Sequence, residues 1–230
     1  MDKIKEKLQK YLNASVHYGH KVNEWNPKMS PFILGKKNGY HIIDVLKTAK
    51  ALFLAGEVLK EKISNNEKVL FVGTNKIFSS LIEEQAKKAN VHYINHHWLG
   101  GTLTNWKIIQ KSINQLNKLE ENILKTKISK KLNIKLKRKL HKLSYIFNGI
   151  KDMKTLPNIV VFIDQFADNL GVQECLKLGI PTICIVDTNC NPDIISYPIP
   201  ANDDSIASVS FILSYLTKKI CYKKKLNDFH

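Results

Sequence analysis

Gly179-Ile180-Pro181-Thr182-Ile183-Cys184-Ile185-Val186-Asp187-Thr188-Asn189-Cys190-Asn191-Pro192-Asp193 is the stretch that decides the architecture. Thr182 to Val186 is apolar and rich in β-branched residues, with no polar alternation. That is the pattern of a strand buried on both faces, as in a parallel sheet covered by helices. The run stops at Asp187, and Thr188 to Asp193 is turn chemistry, with two Asn, one Asp and Pro192. Ile194 to Ile199 is apolar again but broken by Pro198, with Pro200 next, so it reads as an edge strand. Asn202, Asp203 and Asp204 offer N-caps to a helix whose apolar positions are Ile206, Val209, Ile212, Leu213, Leu216 and Ile220. Ligands of open α/β sheets sit beyond the carboxyl ends of the strands, where the Asp187 to Asp193 loop lies.

Upstream, Val69 to Val72, Val91 to Ile94 and Ile159 to Ile163 repeat the short apolar run. Helical spacing connects them: from a cap at Asp44 to about Ile63, from Lys76 to about Ala89, and from Ala167 to Leu178. The chain therefore reads as an α/β protein with a parallel sheet and helices on both faces. Gly73-Thr74-Asn75-Lys76 follows a strand, as phosphate-binding turns do. It lacks both GxxxxGK[ST] and GxGxxG, which favours a plain turn whose Lys76 meets an RNA phosphate. Residues 3 to 14 form an amphipathic helix. An irregular stretch to Gly39 follows, carrying His20, Trp25, Lys28, Lys36 and Lys37. Aromatic and basic side chains on such a loop stack on unpaired bases and meet phosphates; the alternative for Trp25 is packing beneath the loop.

Asn105 to Phe147 contains no strand pattern and no Pro; Leu and Ile recur at three and four. Two antiparallel helices with a turn between about Lys125 and Lys131 are expected, projecting as a coiled-coil insertion over 106–147 from a discontinuous body of 1–105 and 148–230. Net charge is +16, and residues 106 to 155 carry fourteen basic residues against three acids, +11 of that total. Between Lys125 and Lys142 there are nine basic residues and no acid, among them Lys130, Lys131, Lys135, Arg138 and Lys139; Lys107 stands at the start of the first helix. Like charges at that density repel unless a polyanion screens them. A solvated lysine-rich arm and a membrane-surface helix are the alternatives, the latter disfavoured by the few Trp and Phe on its apolar side.

The remaining signals exclude more than they add. Cys175, Cys184, Cys190 and Cys221 contain no CxxC pair and read as reduced thiols. His96-His97 has no Cys or carboxylate close in sequence, so an RNA-facing pair is expected rather than a metal site. No apolar run reaches the roughly 18 residues of a membrane span. The N-terminal residues resemble neither a signal nor a transit peptide, so the expectation is a protein made where it works or a mature form. Basic residues are almost all Lys, which suits phosphate contact more than base reading. Lys, Asn and Ile together make 83 of 230 residues, the bias of an AT-rich genome.

Val16-His17-Tyr18-Gly19-His20, Trp25-Asn26-Pro27-Lys28-Met29, Asn38-Gly39-Tyr40-His41-Ile42-Ile43-Asp44, Leu70-Phe71-Val72-Gly73-Thr74, Trp98-Leu99-Gly100-Gly101-Thr102-Leu103-Thr104-Asn105, Gly149-Ile150-Lys151 and Ile185-Val186-Asp187-Thr188-Asn189-Cys190 resemble, in this order, the ribosomal protein S2 family of bacterial and organellar type. The resemblance implies a flavodoxin-like (Rossmann-like) parallel sheet with a projecting coiled-coil insertion. It also implies no catalysis, no cofactor, and binding to small-subunit rRNA beside neighbouring ribosomal proteins, with no membrane and no small-molecule substrate. Asp164-Gln165 stands where the bacterial form has Asp-Pro, Asn191 where it has Asp, and Ala201 where it has Gly. Gln165, Cys175, Cys184 and Ala201 resemble the plastid branch, which points to a plastid ribosome; the cytoplasm of an AT-rich bacterium is the alternative. The competing function is a nucleotide-dependent Rossmann-like enzyme using the Asp187–Asp193 loop with the Gly73–Lys76 turn. No nucleophile and base assemble around either.

Overall fold

The computed structural model describes residues 2–125 and 130–227. The chain opens with α1 (Asp2–Asn13), then β1 (Tyr18–Lys21), β2 (Ile33–Lys37) and β3 (Tyr40–Ile43), an antiparallel sheet in the order β1-β3-β2. The sequence reading left residues up to Gly39 irregular, and the structure corrects that. Asn38 and Gly39 both take positive φ, 52° and 83°, and close a two-residue hairpin that pairs Lys37 with Tyr40. Asn-Gly is the pair such a turn prefers, because both central residues need a left-handed backbone. The strands escaped notice because β2 is exposed along almost its whole length and shows no apolar period.

Asp44 then caps α2 (Val45–Ser64), accepting a hydrogen bond from the Leu46 N–H at 2.9 Å. The main sheet follows: β4 (Val69–Val72), α3 (Ser79–Ala89), β5 (His92–Ile94), α4 (Trp106–Lys125), α5 (Lys130–Phe147), β6 (Ile159–Phe162), α6 (Asn169–Leu178), β7 (Thr182–Val186), β8 (Tyr197–Pro200) and α7 (Ile206–Asn227). The five strands pair only in parallel, in the order β5-β4-β6-β7-β8. Counted within the sheet this is 2-1-3-4-5, the flavodoxin-like order.

Period-two alternation splits the strand side chains between two cores. Val69, Phe71, Val161, Ile183, Ile185 and Ile199 pack under α2, α3 and α7, against Leu52, Leu59, Ile82, Val209, Leu213 and Leu216. Leu70, Val72, Val160, Phe162, Cys184 and Val186 face the opposite way. There α6 contributes Val172 and Cys175, and the rest of the cover comes from Ile109, Ile113 and Leu116 of α4 and Phe147 of α5. The two basic helices are therefore the connection from β5 to β6, and their proximal turns are core. Gly149, just after α5, lies so close to β5 that a Cβ there would stand 2.1 Å from the Tyr93 carbonyl oxygen.

Candidate nucleic-acid interface

Beyond Leu116 the apolar stripe of α4 thins, and charge takes over. Lys107, Lys111, Lys137, Arg138, Lys139 and Lys142 are exposed, and none is ion-paired among the described residues. Lysines on the body behave differently. Lys62 pairs with Glu67 at 2.8 Å, Lys87 with Glu83 and Lys88 with Glu84 at 2.6 Å, and Lys219 with Glu57. The side chains of Lys130, Lys131 and Lys135 lie outside the described residues.

The expected N-terminal contacts divide in the same way. Lys36 and Lys37 are exposed on β2, beside the hairpin turn. Trp25 leans on His41 with ring centroids 5.1 Å apart and remains 38% exposed, which leaves area open for a stacking partner. Lys28 reaches Asp193 at 2.8 Å and is thereby partly neutralised. His20 turns inward, its Nδ1 3.2 Å from Asp187 Oδ1, which raises its pKa, and it faces the body rather than an external polyanion. His96 also fails to face outward: it stacks on Tyr145 at 4.0 Å and 7°, with the Ser79 hydroxyl 3.1 Å from its Nδ1. His97, Lys76 and Lys107 are exposed. The two adjacent histidines diverge as expected of neighbours at a strand end.

Neither half of the enzyme reading survives the geometry. A Cβ on Gly73 would meet Ile82 Cδ1 at 2.5 Å and Ile163 Cγ1 at 2.9 Å, so the glycine serves close packing rather than approach of a phosphate. The Thr74 N–H, the donor a phosphate would need, is given to Asp168 Oδ1 at 3.2 Å. Asp168 is buried, which pushes its carboxyl up to about 7; the Thr74 contact lowers it and Asp164 raises it further. The β7 end is filled by the chain itself. His20 N donates to Thr188 Oγ1 at 2.9 Å and Asn26 N to the Thr188 carbonyl at 2.7 Å. A Cβ on Gly19 would stand 2.5 Å from Thr188 Cγ2. The position where flavodoxin-like sheets bind ligands is roofed by β1.

One organising residue escaped the sequence reading. Buried Glu174 on α6 takes hydrogen bonds from Trp98 Nε1 at 2.9 Å, Gly101 N and Leu103 N at 2.8 Å, Thr104 N at 3.0 Å and the Thr104 hydroxyl at 3.1 Å. Burial raises its pKa, and these donors more than offset that, holding the carboxyl below its usual range. The Trp98–Thr104 segment is wrapped around this one carboxylate, with Gly101 at φ +90° allowing the turn. It thereby sets the direction in which α4 leaves the body. Gln165 has a comparable local task, its amide bracketing the Asn191 backbone with two 2.6 Å hydrogen bonds. Cys175, Cys184 and Cys190 are buried free thiols, raised by burial.

Comparison with known proteins agrees with this picture of an α/β body and a basic helical pair. The chain is 49% identical over 209 residues to the small ribosomal subunit protein uS2c of Galdieria sulphuraria, covering 91% of this chain and 90% of the relative. It is 46% identical over 216 residues to the protein of the same name from Porphyra purpurea, covering 93% and 90%. It is 45% identical over 217 residues to that of Mesostigma viride, covering 93% and 95%. The model of the family described as "Ribosomal protein S2" matches residues 11–222. With the 2-1-3-4-5 sheet and the roofed strand ends, that match over nearly the whole length places the chain in the ribosomal protein S2 family.

Proposed function

We propose that this protein is a structural, non-enzymatic constituent of the small subunit of a plastid ribosome and holds small-subunit rRNA through lysine side chains on α4 and α5. The observation that carries the reading is the contrast in pairing: basic residues on these helices stand exposed without acid partners, whereas many of those on the body are neutralised locally. Unpaired lysines at this density are stabilised by a polyanion. The relatives are named as small-subunit proteins of chloroplast type, which supports both the assembly and the compartment.

The RNA-binding arm in this reading begins beyond Leu116 and returns before Leu140, because the flanking turns contribute to the sheet core. It is narrower than the 106–147 insertion expected from the sequence. Lys130, Lys131, Lys135, Arg138 and Lys139 are its proposed phosphate contacts, with Lys107 at its base. Trp25, Lys36, Lys37, Lys76 and His97 form a second set on the body; neighbouring ribosomal proteins complete the surroundings. No described helix is long and apolar enough to cross a membrane. The test is sedimentation of tagged protein through a gradient of plastid ribosomes. The protein is expected in the small-subunit peak and displaced by high salt; its absence from that peak overturns the assignment.

A further inference from the structure

The roof over the β7 end brings together three side chains far apart in sequence. His20 comes from β1, and Asp203 and Asp204 from the turn between β8 and α7. One ligand-type atom from each lies within 4.8 Å of the others. Asp203 is only 4% exposed, and among the described residues no donor stands on its carboxylate, which is aimed at the other two. An ionised carboxyl is not left buried and unpartnered without cost; it takes a counter-ion or a proton.

The imidazole is posed as a ligand. Its Nδ1 is 3.2 Å from Asp187 Oδ1, and Asp187 is itself held by the Thr188 N–H and, at 3.3 Å, by the Asp203 N–H. Its Nε2 points the other way, 3.6 Å from Asp204 Oδ2 and 3.4 Å from Asn189 Nδ2. A carboxylate behind one ring nitrogen, with the other facing further carboxylates, is the carboxylate–histidine–metal arrangement that sets the tautomer and orients the ring.

The geometry points to a divalent-cation site in which His20 Nε2, Asp203 and Asp204 are the ligands and Asp187 orients the histidine. One imidazole with two carboxylates suits a borderline first-row ion such as Zn²⁺, with water completing the shell. Donors about 2.0 Å from a tetrahedral centre lie about 3.3 Å apart. The 4.8 Å spread therefore requires a small closure. Asp204 can supply it, because its side chain is 78% exposed and free to turn. A bound ion would clasp β1, and with it the small antiparallel sheet, to the end of the main sheet.

The probe is Co²⁺ titrated into untagged full-length protein, followed by its visible absorption and by thermal melting. The expected result is one Co²⁺ per chain, displaced by Zn²⁺, with a raised melting midpoint. His20→Gln and Asp204→Asn should each weaken binding by about tenfold or more. Asp204 is exposed, so that variant folds normally, and His97→Gln should bind like the wild type. Absence of saturable binding overturns the site, and so does binding that persists in Asp204→Asn and His20→Gln or is lost in His97→Gln. None of these outcomes bears on sedimentation with ribosomes.

Discussion

The arm and the strand-end loops solve opposite electrostatic problems. On α4 and α5 the charges are positive, exposed and unpaired. Around the carboxyl ends of the strands they are negative, buried and tied to backbone: Asp168 to Thr74, Asp187 to Thr188 and Asp203, Glu174 to the Trp98–Thr104 loop. Surface lysines contribute little to folding, so their strength is available to a partner. Buried carboxylates with backbone donors contribute much to folding and have little left for a partner. A basic protein thus keeps its acids for internal construction and its bases for what lies outside.

That division predicts which changes act on stability and which on binding. The largest expected effect is that of Glu174→Ala, which leaves the buried Trp98 and Leu103 donors unpaired. A loss on the order of 4 kcal/mol is expected, or roughly 10 °C in melting midpoint for a chain of this size. The salt dependence of RNA binding by the surviving folded protein should not change. A melting midpoint within a degree or two of the wild type would erase the contrast.

Asp168 sharpens it through pH. Its carboxyl is raised to about 7 from 3.8, so between those values the folded protein holds a proton that the unfolded chain has released. Stability from this group is fully present below 3.8 and falls as pH rises through 7. The shift corresponds to at most about 4 kcal/mol, less as the site relaxes. Asp168→Asn should flatten the pH dependence of denaturant midpoints across that window. An unchanged profile would mean that the carboxyl is already ionised in the fold.

The arm should respond in binding alone. Replacing Lys130, Lys131, Lys135 and Lys139 with Gln should flatten the slope of log K against log[salt] by up to roughly 0.7 to 0.9 for each phosphate that is no longer neutralised. Affinity for unrelated RNAs should fall to a similar degree, because phosphate contacts carry no sequence information. Melting should stay within about 0.5 kcal/mol of the wild type. An intact slope would move the RNA surface to the Trp25–Lys37 side of the body.

How far this was readable beforehand depended on distance along the chain. The buried strands were legible because Val69–Val72, Ile159–Phe162 and Thr182–Val186 announce two-sided burial in four or five consecutive residues. The β1-β3-β2 sheet was not, since its exposed strands carry no apolar period; the Asn38-Gly39 turn was the one usable signal. Glu174 gave no hint of its task because Trp98 lies 76 positions away. His20 was placed outside for the same reason: Asp187 and Asp204, the groups that draw it inward, come from the far end of the chain. The basic arm was plain as composition, but its separation from the core was not. Ile109, Ile113 and Leu116 continue the same helical period while changing what they touch.

The prolines of β8 have one more consequence. Ala201 N donates inward to the Val186 carbonyl, so by alternation Pro198 and Pro200 occupy the positions whose N–H groups would point away from the sheet. Proline has no such group. The outward Pro200 carbonyl is taken by the Thr48 hydroxyl at 2.6 Å, and at the opposite margin β5 is only three residues long. Neither border therefore offers a template to which a stray strand from another copy could zip. A newly made chain waiting for its RNA is protected from self-association by the shape of its margins, even while the rest of the assembly is missing.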